Sequence, residues 1–556
     1  MATRLGNDRA ASHALPGLID EFESSVKDDV ALSRADGRHL LELVKKTRQL
    51  LGQPNRLIEH FEAISHFLET RYWALLSSKI IFLCANGNER RNLLALAKSF
   101  VSEVEYIGYS RRFVYHHARN FFFSTKHDPP SITDSTAIAA FLSSFSGISR
   151  NYSVIFRVSK DFNNYQPLLE PSHIELSDRL PSFASGHDEA APQRPLHSSQ
   201  VFAIVSNIQT TTVYGAREIA ESRLKNTAEL ACYDNHADHF RWSRVCLVHD
   251  HDSLATISRK QTPNPIECGL LRHNKDICNE PNRLIELASL ILRLSPESVS
   301  WLRNALKYHR IAARSSASEN QLVTLWAALE GLLPAPAPSQ SRIGFYAECV
   351  VPSVCLSYLY RAFYYLSESL YFSGSHIRDH VRSKVNSDSF FKSCVLLIST
   401  STHEKHRREL YALLDDNPLL RYRIFELHER TKSATRVLDS LNTYKKRIEW
   451  HLRRIYNVRS QIVHTAQSLP YTDTLVENLH SYFDICLRFF ACAIRSRSRM
   501  ASSIGSIVAD ASTMLESHTH YLKTLSTESP SLVDAESCYP VIFGDHNPLP
   551  NDHSPH

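Results

Sequence analysis

Glycine is scarce in this chain, which has 15 glycines among 556 residues. Loops that hold nucleotide phosphates place several glycines close together before a helix, and no such loop occurs here. We therefore exclude kinases and dehydrogenases that depend on a P-loop or a Rossmann fold, and we expect no cofactor.

Paired cysteines are also lacking. None of the eleven cysteines lies at the two-residue spacing that zinc knuckles and redox pairs share, which indicates reduced thiols in the cytosol. The densest group of other metal-ligand residue types lies between Asp234 and Asp252, where aspartates and histidines cluster. Because their spacing matches no zinc signature, we interpret them as polar loops at strand ends and predict no metal site, with metal binding as the open alternative.

Long hydrophobic runs are absent. The stretch Cys349 to Tyr360 comes nearest, but it is short and Arg361 follows it. The first residues carry Arg4 and Asp8 and no apolar core, so they do not read as a secretory signal. These features predict a soluble, cytoplasmic protein without a membrane partner.

The formal net charge of +5 is small for a chain of this length. A nucleic-acid-binding function must therefore rest on local clusters of basic residues. The length exceeds what one hydrophobic core usually serves, so two or three domains are expected.

The N-terminal half predicts a mixture of helices and strands. Residues 1–180 are interpreted as an α/β region, with strands at Lys79 to Leu83 and Tyr152 to Val158. Residues 181–200 are rich in Pro, Ser, Ala, His and Gly and are interpreted as a linker or long loop. Residues 201–280 contain strand patterns on both sides of a helix pattern, which predicts a small α+β region.

The pattern is helical almost throughout residues 281–525, which predicts an all-α bundle. Ser295 is the expected N-cap of one helix, another helix should end near His464, and Thr474 should open the capping box of a third. Residues 526–556 turn to Ser, Pro, Asp, Asn and His and are predicted to be disordered. The expected fold class is therefore α+β multidomain, with a C-terminal helical bundle preceded by smaller α+β regions.

The segment Tyr456 to His464 combines groups suited to phosphate binding and to proton transfer. Arg459 offers a fixed, planar positive charge to a phosphate, and histidine is the side chain that accepts and returns protons near neutral pH. An arginine followed by a histidine four to six positions later recurs elsewhere, as at Arg303 and His309 or Arg423 and His428. Spacing alone is therefore not specific, and the surrounding residues have to distinguish this pair.

Three features favour Arg459 and His464. Apolar neighbours such as Ile455 and Val458 would face the bundle core and hold the pair on a firm base. Glu330, from the Leu-rich helix upstream, would orient the arginine or the histidine. The third feature is a basic stripe suited to RNA phosphates, formed by Lys445, Lys446, Arg447, Arg453 and Arg454. The alternative interpretations are a solvated helix face for the stripe and an exposed boundary residue for Glu330.

On a straight helix, Arg459 and His464 lie about 140° apart. Either the arginine reaches around the helix, or the helix distorts, or a second copy of the chain completes the site. The last option predicts a homodimer with the active cleft at the interface.

Three blocks of this sequence resemble the HEPN superfamily, specifically its ApeA-like branch: Trp301 to His309, Leu325 to Leu333 and Tyr456 to His464. The resemblance covers roughly residues 281–525. It implies a helical-bundle ribonuclease that dimerises, needs no metal and serves in anti-phage defence or as a toxin. The family motif of arginine, polar residue and histidine maps onto Arg459, Ser460 and His464.

The sequence departs from the family pattern directly after the motif arginine. Family members often carry Asn, Asp or His at this position, whereas this chain has the shorter, neutral Ser460. Asn457, two positions before the arginine, is the candidate substitute for orienting the site.

We therefore expect a metal-independent endoribonuclease that uses the RNA 2′-hydroxyl, with RNA as its partner. A phage-derived trigger or a regulatory protein is a further candidate partner. The alternative is a non-catalytic helical interaction module in a defence or regulatory complex, in which Arg459 and His464 have structural roles.

Overall fold

The computed structural model describes residues 9–86, 89–123, 135–145, 147–184, 196–235, 240–250, 253–258, 291–315, 317–385, 387, 389–466, 469, 471–496, 503–528 and 535–544. The chain divides into two compact units, Met1–Thr262 (unit 1) and Pro263–His556 (unit 2). Unit 1 combines helices with a sheet, and unit 2 is helical in its described residues. The fold class is therefore α+β multidomain with a helical C-terminal region.

Helices make up the first part of unit 1: α1 Arg9–Asp28, α2 Arg34–Gln49, α3 Pro54–Asn86, α4 Arg90–Ile107, α5 Arg111–Phe123 and α6 Ser135–Ser143. The predicted strand at Lys79 to Leu83 is wrong, because these residues lie inside α3. Leu76, Ile80 and Leu83 recur at helical spacing and are buried together. A short apolar run fits a strand and a buried helix equally well, and here the helix continues on both sides of it.

The sheet of unit 1 is antiparallel and has the strand order β2-β3-β1-β4-β5. Its strands are β1 Arg150–Ser159, β2 Ile174–Ser177, β3 Gln200–Thr210, β4 Val245–Asp250 and β5 Ser253–Ser258. A short helix, α7 (Gln166–Leu169), lies between β1 and β2, and α8 (Val213–Asn235) follows β3. Val154 and Phe156 of β1 pack with α8, whereas Ile155 faces the opposite side, as the alternation of side chains along a strand requires.

The structure corrects the predicted boundaries within unit 1. β1 and β2 precede residues 181–200, β3 follows directly, and β3 pairs with both earlier strands. Residues 181–200 therefore connect strands of one sheet and do not link a separate region 1–180 to a region 201–280. Strand pairing joins residues that are distant in sequence, so local composition cannot reveal it.

Unit 2 contains α9 Pro296–Arg314, α10 Ser318–Leu332, α11 Arg342–Leu356, α12 Tyr358–Phe372, α13 Ser375–Lys384, α14 Phe390–Ser399, α15 Glu404–Leu413, α16 Pro418–Thr431, α17 Ala434–Thr465, α18 Thr472–Ser496, α19 Ile504–Glu528 and α20 Ala535–Phe543. Ser295 caps α9 as predicted, because its side chain accepts a hydrogen bond from the backbone N–H of Ser298. The predicted capping box is wrong, since α18 begins at Thr472 and Thr474 lies inside it.

Two hydrophobic cores stabilise unit 2. Core A is built mainly by α9, α10, α11, α18 and α19, and core B mainly by α12 to α16 and α20. Helix α17 contributes to both: Val437 and Leu441 of its N-terminal half lie in core B, and Ile455 and Val458 of its C-terminal half lie in core A. The motif segment is therefore part of core A.

The prediction of disorder for residues 526–556 is wrong for the part of this tail that the structure describes. Helix α19 continues to Glu528, and α20 buries Cys538, Val541, Ile542 and Phe543 in core B. The average composition of the tail hides this short apolar helix. The other residues of the tail lie outside the described residues.

Among the described residues, no single helix is both long and apolar enough to cross a bilayer. Only α11 and α12 taken together, with a bend of 41° between them, reach the length and apolar character of a span. Both helices bury most of their apolar residues in the cores of unit 2, although Phe372 at the end of α12 is exposed.

Candidate functional site

Arg459 and His464 lie near the C-terminal end of α17. This helix runs without interruption over Ala434–Thr465 and ends at Ala466, which has a left-handed backbone conformation. The predicted end near His464 is confirmed. Because the helix is continuous, its geometry keeps the two side chains about 140° apart, and the option of a distorted helix is excluded.

His464 belongs to a row of polar residues that we call the polar face of α17. Its members recur at spacings of three, four or seven positions, which places them on one side of a helix. The row consists of Lys446, Arg453, Asn457, Ser460 and His464. Lys446 and His464 are exposed at its two ends, and the three residues between them are partly buried. The fold therefore aligns His464 with two of the five residues of the predicted basic stripe.

The other three residues of the basic stripe lie outside this row. Lys445 and Arg447 are exposed, and Arg454 is partly buried. The stripe is consequently broader than one helix face, and its exposed members lie about two and a half to three turns before the motif segment.

Arg459 lies on the core-facing side of α17. It follows Leu452 by seven positions and Ile455 by four, and both of these residues are buried in core A. The Arg459 side chain is partly buried, and its Nε is enclosed without a hydrogen-bond partner among the described residues. Leaving a buried donor unpaired costs on the order of 1–3 kcal/mol, so this atom has unused binding capacity.

Glu330 has a different partner from the predicted one. Its carboxylate accepts a hydrogen bond of 2.8 Å from Nε1 of Trp326, one turn earlier in α10. The Trp326 ring in turn contacts the Tyr456 ring of α17, with 5.4 Å between the ring centroids. Glu330 therefore fixes the tryptophan on which the motif segment packs, instead of binding Arg459 or His464.

The supporting residue Asn457 also has an enclosed nitrogen, Nδ2, without a hydrogen-bond partner among the described residues.

A second arginine and histidine pair, Arg407 and His428, lies in core B. The two residues are 21 positions apart in the sequence, so a search for closely spaced pairs does not find them. Nη1 of Arg407 donates to the carbonyl oxygens of Leu397, Ile398 and Thr400, at 3.0, 3.3 and 3.0 Å. Its Nη2 lies 3.4 Å from Nε2 of His428, whose Nδ1 donates to the Ile398 oxygen at 2.7 Å. These are the last carbonyls of α14, so the pair closes a helix C-terminus.

Sequence reasoning missed a third polar cluster, which joins α9 to α18. Nε2 of His309 lies 2.9 Å from Nε2 of His480, and Nδ1 of His480 lies 3.6 Å from a carboxylate oxygen of Asp484. Burial lowers the pKa of His480 to about 4. Burial and the neighbouring His480 also lower the pKa of His309. The signal in the sequence is weak: His480 and Asp484 are one turn apart on α18, and His309 is 171 residues away from His480.

The aspartate and histidine group between Asp234 and Asp252 falls largely outside the described residues. Asp250, at the end of β4, is described, and its carboxylate accepts a hydrogen bond of 3.3 Å from Arg150 of β1. This contact agrees with the interpretation of Asp250 as a polar residue at a strand end.

We found no match to this chain among protein-family models, curated proteins or solved structures. The functional assignment therefore rests on the chemistry of the residues described above.

Proposed function

We propose that unit 2 is a HEPN-type, metal-independent endoribonuclease that acts as a homodimer, with Arg459 and His464 as its catalytic residues. The observation that carries this proposal is the enclosed Nε of Arg459, which has no hydrogen-bond partner in the described part of the chain and lies in the same helix as the exposed His464. Buried arginines are ordinarily saturated by carboxylates or carbonyls, and a guanidinium with free donors suits a phosphate oxygen.

A second copy of the chain is part of the proposal because one copy of α17 does not direct both groups to one phosphate. The helix places them about 140° apart. Val463 and Tyr471, next to His464 and at the start of α18, expose 49% and 45% of their surface. A second copy that covered these side chains would bring its own α17 close to His464.

RNA cleavage requires three events at the scissile phosphate. The ribose 2′-oxygen loses its proton and attacks phosphorus, negative charge develops on the phosphorane, and the 5′-oxygen leaves with a proton. His464 would transfer the protons, with His464 of the second copy in the complementary role, and Arg459 would stabilise the phosphorane charge. The products would be a 2′,3′-cyclic phosphate and a 5′-hydroxyl.

The polar face of α17 would hold the RNA strand. Lys446 and Arg453 are aligned with His464 and would neutralise phosphates on one side of the cleaved bond. Lys445 and Arg447 are exposed on the same helix and would add to this attraction. Asn457 and Ser460 lie between the basic residues and His464, where they would contact the ribose or the phosphate. Defence against phage or toxicity would follow from cleavage of RNA in the cell.

Incubation of the purified full-length protein with total RNA in excess chelator tests the proposal. We expect RNA fragments that end in 2′,3′-cyclic phosphate, and an RNA with a 2′-deoxy sugar at the cleaved position should be inert. His464→Ala should reduce the rate by about 10²- to 10⁴-fold. The matched control is His520→Ala, which removes an exposed histidine of α19. A folded His464→Ala protein that cleaves at the wild-type rate would refute the assignment.

The alternative function is a non-catalytic helical interaction module. The observation in its favour is the alignment of Arg459 with Leu452 and Ile455 on the core-facing side of α17. In that case the wild-type protein cleaves no RNA, and Arg459→Leu raises the free energy of unfolding because it removes an unpaired buried donor.

A further inference from the structure

The cluster of His309, His480 and Asp484 plays no part in the proposed RNA chemistry. The ring nitrogens of the two histidines face each other across the contact between α9 and α18, at 2.9 Å. One ligand atom from each of the three residues lies within 4.8 Å of the other two. Helices that meet in core A therefore bring two imidazoles and a carboxylate to one point.

We infer that His309, His480 and Asp484 form a binding site for a divalent transition-metal ion of the zinc class. Imidazole nitrogen and carboxylate oxygen are ligands that zinc, cobalt and nickel accept. The site is distinct from Arg459 and His464, so the inference goes beyond the proposed function.

The distance between the two imidazoles suits one shared ion. Zinc lies 2.0–2.1 Å from each nitrogen ligand, so two nitrogens of a tetrahedral site are about 3.3 Å apart. The two Nε2 atoms need to separate by only about 0.4 Å to reach this geometry. The ring of His309 stacks on Phe483 at 5.3 Å and 10°, which holds its plane while leaving Nε2 directed at His480.

The protonation states also suit a metal ion. Without metal, one Nε2 must donate its proton to the other for the 2.9 Å contact to be favourable. Metal binding requires only that this proton move to Nδ1 of the same ring, so that both Nε2 lone pairs face the ion. Burial lowers the pKa of each imidazole below its ordinary value, which favours the neutral form that metal binding needs.

The Asp484 carboxylate lies 3.6 Å from Nδ1 of His480, so its side chain has to turn toward the ion to supply an oxygen ligand. It also marks the entry route. The side chain of His480 is 5% exposed, whereas that of Asp484 is 49% exposed. An ion can therefore reach the site from solvent through the carboxylate, and a water molecule would complete its coordination. The carboxylate also offsets one positive charge of the ion beside the buried imidazoles.

Titration of the metal-stripped, full-length protein with zinc ions at pH 7.5 tests this inference. We expect calorimetry to show one saturable site per chain, a higher melting temperature with zinc, and visible ligand-field absorption when cobalt replaces zinc. His309→Ala and His480→Ala should abolish this site. Asp484→Asn should weaken zinc binding by about 10- to 100-fold. The matched control is His451→Ala, a histidine of α17 whose Nδ1 contacts the Tyr482 hydroxyl at 2.7 Å.

The chain has 29 histidines and eleven cysteines, any of which could bind zinc ions elsewhere, so the variants are needed to assign the binding to this site. If His480→Ala does not fold, Asp484→Asn decides the question, because it replaces a half-exposed side chain by one of the same shape. Wild-type protein without a saturable site, or Asp484→Asn protein with wild-type affinity and cobalt absorption, would overturn the inference. RNA cleavage in chelator is a separate measurement, so its failure would not be confused with failure of the metal site.

Discussion

Each of the two cores of unit 2 is associated with an arginine and a histidine. The two arginines differ in how many of their hydrogen-bond donors have partners. In core B, Arg407 is 5% exposed and donates to three carbonyls, with His428 as a further partner. In core A, Arg459 is partly buried and its Nε has no partner among the described residues, while His464 is exposed. The same two residue types therefore have different capacities for binding another molecule.

The difference teaches how to separate structural from functional arginines in this chain. The Arg407 guanidinium is engaged in closing the C-terminus of α14, and a ligand would have to displace those carbonyls. Nε of Arg459 makes no such hydrogen bond among the described residues. Its desolvation is therefore an uncompensated cost, which a hydrogen bond to a phosphate oxygen would offset. Saturation of donors distinguishes the two arginines more clearly than burial does.

Of the two arginine substitutions, Arg459→Ala should have the larger effect on function. Loss of one charge-stabilising donor in the transition state lowers the rate of RNA cleavage by about 10²- to 10³-fold. The melting temperature should stay close to the wild-type value, because the packing lost with the side chain offsets the removal of a buried donor that has no partner among the described residues. A gel-based cleavage assay and a thermal melt check both expectations. A variant that keeps full activity would leave Arg459 with a structural role only.

Arg407→Ala should have the largest effect on stability. It removes the arginine donor from the Leu397 and Thr400 carbonyls and from Nε2 of His428, while Ile398 keeps its bond from His428. The free energy of unfolding should therefore fall by about 3 kcal/mol. Chemical denaturation measures this loss. The matched control is the next residue, Arg408, whose side chain is 75% exposed and binds Glu404 at 2.5 Å. Arg408→Ala should change stability by less than about 0.5 kcal/mol, and equal losses in the two variants would contradict the proposed capping role.

Sequence patterns predicted those features of the fold that depend on neighbouring residues. Ser295 caps α9, α17 ends near His464, and the strands around Val154 and Val205 form where their apolar residues indicate. The core-facing position of Arg459 was not predicted, although its spacing to Leu452 indicates it because helical geometry is regular.

Features that depend on tertiary contact were beyond the reach of the sequence. Nothing local shows that residues 181–200 connect strands of one sheet, or that Cys538 and Phe543 are buried in core B. Glu330 was assigned to the motif, yet its carboxylate binds Trp326 on its own helix. His309 and His480 are 171 residues apart, and only the packing of α9 on α18 brings their rings together.

The stability of the protein at low pH tests the role of His451, a partly buried histidine of α17. Burial, and secondarily the charge of Arg454, lower the pKa of His451 to about 4 in the folded chain. Unfolding restores the ordinary pKa near 6.5, so the unfolded chain binds an extra proton between about pH 6.5 and 4. The contribution of neutral His451 to the free energy of unfolding is therefore complete above pH 6.5 and is lost as the pH falls toward 4. Between pH 7.5 and 5, the free energy of unfolding of His451→Gln should fall by about 2 kcal/mol less than that of the wild type. Chemical denaturation at the two pH values measures this difference. An equal loss in both proteins would show that His451 is not responsible.

The smallest expected effect concerns the polar face of α17. It compares basic residues of this face with a basic residue on the surface beside core B. Lys446→Ala and Arg453→Ala should each weaken RNA binding only a few-fold, because each removes one phosphate contact. The informative quantity is the salt dependence: each change should reduce the slope of log K against log salt by about 1, since one fewer counterion is released. Lys405→Ala, which removes an exposed lysine of α15 beside core B, should leave this slope unchanged. If all three variants lower the slope equally, RNA is attracted by the overall charge of unit 2 and not by the helix that carries His464.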